Sequence, residues 1–247
     1  NNAAKRGLIT HDSTFNDLFV QSYDQKISIT AQLAPVRDLS IDVNIDKTFS
    51  KNYSETFKDT TGTGLHFGHL SPYTTGSFNV SYISFNTLFE KYNPNSVSST
   101  FLKFENYRLI LSNRLGRLNV YNKLAGNPMT SNGYALGYGQ YAIDVLVPSF
   151  IAAYTGQDPN KVALINQNNA NVKSNPFSGI IPKPNWRISY NGLSKIPGLD
   201  KIFTNFTITH AYNSSLGMNS FTSALFYQDV SKFGYPTFID TTVGNNN

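Results

Sequence analysis

The residues best suited to chemistry in this chain are two histidines in His66-Phe67-Gly68-His69. Two imidazoles at that spacing can converge on one metal ion, and zinc takes such nitrogens at about 2.0–2.1 Å. The surroundings argue against a metal: the stretch is glycine-rich, no acidic residue stands nearby in sequence, and no zinc pattern matches. His11 stands alone, and His210 falls on the apolar parity of a strand pattern, where a packed or interfacial side chain is expected. Gly62, Gly64 and Gly68 give GTGLHFG, which superficially resembles a phosphate loop. It lacks the following Lys-Ser/Thr and a strand-turn-helix setting, so loop flexibility is the better reading. In GYALGYG, Gly133, Gly137 and Gly139 interleave with Tyr134 and Tyr138. Stacking on a sugar is one use for that pattern; backbone freedom and packing are the preferred one. The chain has no cysteine, which excludes disulfides, thiolate metal sites and a cysteine nucleophile. No nucleophile elbow, phosphate loop or acid pair stands out, so no catalytic residue, cofactor site or metal site is expected.

The elements around these residues are mostly strands. Trp186, Ile188 and Tyr190 alternate with Arg187, Ser189 and Asn191. Phe206, Ile208, His210 and Tyr212 alternate with Asn205, Thr207, Thr209 and Asn213, and Phe221, Leu225 and Tyr227 share a third face. Earlier, Ile27, Ile29, Ala31 and Leu33 alternate with Lys26, Ser28, Thr30 and Gln32. Leu39, Ile41, Val43 and Ile45 alternate with Ser40, Asp42, Asn44 and Asp46. Period-2 alternation gives each strand one apolar and one polar face. The connection Ala34-Pro35-Val36-Arg37-Asp38 suits a hairpin loop. A soluble antiparallel sheet and a membrane β-barrel both fit this pattern. Lys51 to Gly76 reads as an irregular loop, and a further strand is expected from Ser77 to Phe85, with a bulge or strand exit at its parity switch.

From 86 to 184 the period changes. Phe101, Phe104, Tyr107, Leu111, Leu115 and Leu118 recur at helical spacing, with Ser98 or Ser99 as the cap and Gly116 just past the end. A second helix is expected over Val147 to Tyr154, with Pro148 in its first turn and Gly156 ending it. Asp158-Pro159 suggests a short third helix, followed by an Asn-, Pro- and Ser-rich loop. The division is therefore 1–85 strands and loops, 86–184 a helical and loop insertion, and 185–247 strands ending in a flexible loop. An insertion of this size cannot lie in lipid, where its backbone groups would go unpaired, so in a barrel it belongs outside the membrane or in the lumen.

Composition narrows the classes. Charged residues are 14% of 247, against about 25% in ordinary soluble domains, and aromatics are also 14%. That suits an outer-membrane protein or a secreted sugar-binding β-domain. The formal net charge is +5, but the basic residues are scattered, which argues against a nucleic-acid partner. No run is long and apolar enough for a membrane helix. The first residues lack a signal-peptide core, and the Asn-rich end reads as a loop, so a piece of a longer polypeptide is expected.

Three blocks carry a family resemblance: "KISITAQLAPVRDLSIDVNIDKTFSKNY" (26–53), "YAIDVLVPSFIAAYTGQDPNKVAL" (141–164) and "PNWRISYNGLSKI" with "FTNFTITHAYNSS" and "FTSALFYQD" (184–229). In this order they resemble the late part of the type IX secretion outer-membrane translocon, the SprA/Sov family. The resemblance implies a mainly β fold: a segment of a very large transmembrane antiparallel β-barrel with a helical insertion, placed in the cell outer membrane. It implies a non-enzymatic, protein-conducting channel that exports folded cargo, including gliding adhesins, to the cell surface. Its implied partners are cargo proteins with a C-terminal sorting domain, a plug protein, a porin-like shuttle protein and outer-membrane lipid.

In such a barrel Trp186, Tyr190, Tyr212 and Tyr227, with Tyr235, are the candidate membrane-interface aromatics, and Asp42 and Asp46 are candidate lumen-facing residues, because charge on the lipid side is costly. About six strands are expected here, and single-chain barrels begin at about eight, so this segment needs neighbouring strands. The insertion is expected to narrow the lumen or contact a partner. The alternatives are a secreted, noncatalytic carbohydrate-binding or adhesin domain using Tyr134, Tyr138 or Trp186, and another large barrel such as a nutrient transporter.

Overall fold

The computed structural model describes residues 2–88, 90–91, 93–165, 173 and 175–224. Tyr227, Tyr235 and the expected strand residues beyond Ala224 lie outside the described residues. The fold is mainly β: an open, six-stranded antiparallel sheet with helices inserted between its third and fourth strands. The strands are β1 (Leu18–Leu33), β2 (Leu39–Asp59), β3 (Phe67–Ser81), β4 (Asn185–Tyr190), β5 (Ile208–Tyr212) and β6 (Ser215–Ala224). The helices are α1 (Phe85–Leu88), α2 (Ser99–Leu118), α3 (Val120–Leu124) and α4 (Ile143–Thr155).

β2, with 21 residues, is the spine. One of its edges pairs with β1 without a register break, from Leu18↔Thr56 to Leu33↔Ile41. The other edge is shared. Its first part, Leu39–Asn44, pairs with β4, and Lys47–Asp59 pairs with β3. β3 and β4 thus lie end to end along β2 and together fill one strand position. β5 and β6 lie end to end in the same way on the far side, pairing with β4 and β3 respectively. The chain leaves the sheet after Ser81 and returns at Asn185. Asp46 N–H donates to Ser81 Oγ at 3.0 Å, Tyr82 N–H to the Ser214 carbonyl at 3.1 Å, and Ser214 N–H to Asn185 Oδ1 at 2.9 Å. These bonds satisfy backbone groups that the interruption would otherwise leave unpaired.

Several boundaries depart from the sequence reading. β1 starts well before Lys26. Lys51–Asp59 and Phe67–Gly76 are strand rather than loop, leaving only residues 60–66 as the connection. Small polar residues hid these strands because their neighbours across the ladder, not their own hydrophobicity, hold them in place. The strand expected to reach Phe85 ends at Ser81, and the register shifts lie at Ser54/Thr56 and Gly76/Phe78. Phe206 falls outside β5 and stacks on Phe203 at 5.3 Å.

α2 begins as its residues dictate: the Ser98 hydroxyl accepts from Phe101 N–H at 3.1 Å. Gly116 lies inside the helix, not past it, because the helix packs there against Ala135. α4 starts at Ile143, so Pro148 is interior; Gly156 ends it in the left-handed conformation at φ +71°. Asp158 organises a turn, accepting from Asn160 N–H at 2.8 Å, rather than capping a third helix. α2 and α4 pack on one face of the sheet. The core there joins Leu111, Leu115, Val145 and Ile151 to Phe49, Phe78, Val80 and Phe221, with Phe177 stacked on Phe78 at 4.5 Å.

Candidate functional site

Register decides which side chains share a face. Opposite partners in an antiparallel ladder point the same way. Ile41 therefore shares a face with Leu33 and Ile188, and Val43 with Ala31 and Trp186. Trp186 pairs onward with Tyr212, Ile188 with His210, and Tyr190 with Ile208. The result is one apolar field across β1, β2, β4 and β5. Ile29, Leu33 and Ile208 are each half exposed, at 54%, 51% and 50%. At the edge of the field nearest the helices the indole of Trp186 stacks on Tyr212 at 4.9 Å and its Nε1–H donates to His210 Nδ1 at 3.2 Å. Tyr190 closes the opposite end, beside Leu39.

The reverse face is polar. Asp42 stands between Gln32 and Arg187, and Asp46 opposite Ser28, whose hydroxyl donates to Asp46 Oδ1 at 2.7 Å. Thr30, Asn44, Ser189 and Thr209 continue it. Asp42 and Asp46 thus share the polar face, and Trp186, Tyr190 and Tyr212 share the apolar one. Tyr227 lies outside the described residues.

Farther along β2 the apolar parity changes character. Lys47, Phe49, Lys51, Tyr53 and Glu55 continue the Ile41–Ile45 face, and all five are buried. The Lys47 ammonium donates to the carbonyls of Phe177, Ser178 and Ile180 at 3.3, 3.3 and 3.0 Å. Lys47 therefore pins the insertion's last segment to the sheet. Sequence reading passed over it, although a lysine on an apolar parity was the available signal.

The histidine and glycine motifs find structural work. His69 Nδ1 lies 2.8 Å from Glu55 Oε2, and the same oxygen accepts from the Tyr53 hydroxyl at 2.7 Å. Sequence distance concealed this acid. His66 contributes its backbone carbonyl to Thr60 instead. Among the described residues no cluster of three metal-ligating side chains forms. The GTGLHFG loop, with Gly62 and Gly64 at φ +71° and +76°, wraps the buried carboxylate of Asp59. Desolvation pushes that carboxyl up, but donors from Thr61 and Gly64 outweigh it and hold its pKa below the usual value. An anion nest is present, filled by the protein's own side chain.

No protein-family model matches this chain, and no curated protein matches it. The functional surface is therefore defined by geometry. Tyr138 is fully buried, with its hydroxyl accepting from Asn119 Nδ2 at 3.0 Å. It packs the insertion and cannot stack on a sugar. Tyr134 is half-buried. In the described part of the chain, the two-faced sheet leaves large apolar side chains such as Ile29, Leu33 and Ile208 open to their surroundings.

Proposed function

We propose that this chain is a section of the wall of a large outer-membrane barrel that conducts folded proteins to the cell surface, as its resemblance to the type IX translocon implies. The observation that carries the reading is the two-faced sheet: an exposed apolar field backed by a continuous polar face. Lipid against the first and water against the second satisfies both. From Leu39 to Lys47 a strand rises roughly 26 Å at about 3.3 Å per residue, or about 20 Å of height at a tilt near 40°. That approaches the ~25 Å apolar band of such barrels. Tyr190 then stands at its Leu39 border, where an aromatic girdle belongs, while Trp186 and Tyr212 lie on the Val43 row, roughly 13 Å farther along the strand.

The open edges of β1 and of β5–β6 call for neighbouring strands, which the remainder of a longer polypeptide supplies. Asp42, Asp46 and Arg187 line the lumen, in the path of cargo bearing a C-terminal sorting domain. The insertion packs on the apolar side of the sheet. In a barrel it therefore stands outside the wall and above the bilayer, not in the lumen, where it is free to meet the plug or porin-like shuttle protein. The test is a denaturing immunoblot of fractionated cells with an antibody against residues 98–165. A very large outer-membrane band is expected. A soluble or secreted band near 27.5 kDa would overturn the reading in favour of a secreted binding domain.

A further inference from the structure

The sheet ends at β6, whose outer edge has no neighbouring strand among the described residues. Natural sheets protect such edges with lysine, proline or an inward-pointing charge. β6 reads "SLGMNSFTSA" and carries none of these, in contrast to the edge strand β1 with Asp24 and Lys26. Leu216, Met218 and Phe221 face the insertion, opposite Val80, Phe78 and Gly76. Between the Met218 and Phe221 pairs the register shifts, leaving Asn219 and Ser220 as a bulge. Beside this stretch lies a groove of about 330 Å³. Phe104 of α2 and Ile143, Leu146 and Phe150 of α4 line one side of it, and Met218 and Ser220 line the other. Among the described residues, every sheet residue lining the groove belongs to β6 and none to β3, so the groove opens on the free side of the strand. No charged side chain lines it there. Ile143, the first residue of α4, stands on its wall 44% exposed.

We propose that this edge and this groove together receive one more antiparallel strand, with large, uncharged apolar side chains at alternate positions on its insertion side. The two halves of the site make complementary demands. The edge offers a row of backbone N–H and C=O groups, which an extended chain satisfies and a helix or an acyl chain does not. The groove takes apolar side chains, and a strand lying on β6 presents them to it at every second residue. The bulge bends β6 beside the groove, so the edge selects a strand of matching curvature over any extended segment. The inference rests on the barrel reading for its occupant. Neighbours in such a wall are antiparallel strands joined by turns and loops, so the occupant is the next wall strand of the same polypeptide. At this height its outward side chains meet α2 and α4 instead of lipid or water, and the insertion braces the seam between β6 and its neighbour.

The experiment puts the photo-crosslinking amino acid benzoylphenylalanine in place of Ile143, Leu146 or Ser220 in the full-length protein. Cells are irradiated and the crosslinked peptides are identified by mass spectrometry. The expected result is that all three positions capture one peptide of the same polypeptide, with the Ile143 and Leu146 probes marking residues of a single strand parity. In Ile143→Asp the amides of β6 are expected to exchange hydrogen roughly 3-fold faster or more. That variant keeps α4 folded, because an acidic residue suits the first position of a helix. Unchanged exchange in Ile143→Asp overturns the groove's part in holding the strand. Capture of lipid alone, or of nothing, within a very large outer-membrane protein overturns the strand site and leaves the barrel reading standing. Different peptides from the helix and edge positions, or a peptide of another protein, also overturn it. A soluble band near 27.5 kDa whose Ser220 probe captures nothing overturns both readings.

Discussion

Lys47 illustrates how one residue sets the position of a hundred others. Its parity is that of Ile41 and Val43, yet its ammonium is buried and reaches three backbone carbonyls of the insertion. Hydrogen bonds from a charged donor contribute about 1.5–3 kcal/mol each when desolvated, but burying the charge offsets much of that. Methionine retains the stem and removes the donor, leaving those carbonyls without it. Lys47→Met is therefore expected to lower stability by about 1–3 kcal/mol and to expose the Phe177–Pro184 segment to protease well before the strands. Limited proteolysis read by mass spectrometry checks this. Cleavage of that segment at the wild-type rate would show that Phe177 packing alone holds it.

At the scale of the element, α2 carries a glycine that sequence rules would put at its end. Gly116 lies in the interior because the helix must approach the Met129–Ala135 turn, and a Cβ there would overlap the Ala135 methyl. Alanine improves intrinsic helix propensity by up to about 1 kcal/mol. Overpacking costs about 1–3 kcal/mol, and the second effect wins. Gly116→Ala is expected to destabilise the insertion by roughly 0.5–2 kcal/mol, measured by denaturant unfolding followed by circular dichroism at a helix band. A stabilised variant would mean that the turn yields to the methyl group.

At the scale of the molecule, the sheet is open. Among the described residues β1 offers 16 residues of outer edge, and the β5–β6 side offers a second edge. Long edges without a neighbouring strand, beside an exposed apolar field, favour association. The 247-residue chain on its own is expected to be oligomeric or aggregated in water and monodisperse only in detergent. Light scattering coupled to size-exclusion chromatography checks this in both solvents. A monodisperse monomer in detergent-free buffer would contradict both the unpaired edges and the lipid-facing field.

The local periods follow from the order of residues alone: the two-faced strands around Ile27–Leu33, Leu39–Asp46 and Trp186–Tyr190, the hairpin at Ala34–Asp38, the Ser98 cap and the Gly156 stop. Each depends on neighbours a few residues away, so each is written locally. The placement of Asp42 and Asp46 opposite Trp186 and Tyr190 follows from the same alternation once register is known. Folding alone established that β3 and β4 share one strand position, since a strand interrupted by about a hundred residues reads the same as two strands. It also decided that polar strands such as Lys51–Asp59 are held by their partners, that Glu55 meets His69, that Asp59 fills the glycine loop, and that Lys47 fixes the insertion to the apolar side. Those are contacts between residues far apart in the chain. Pairing settles them, and which distant partner a side chain meets leaves no periodic trace in sequence.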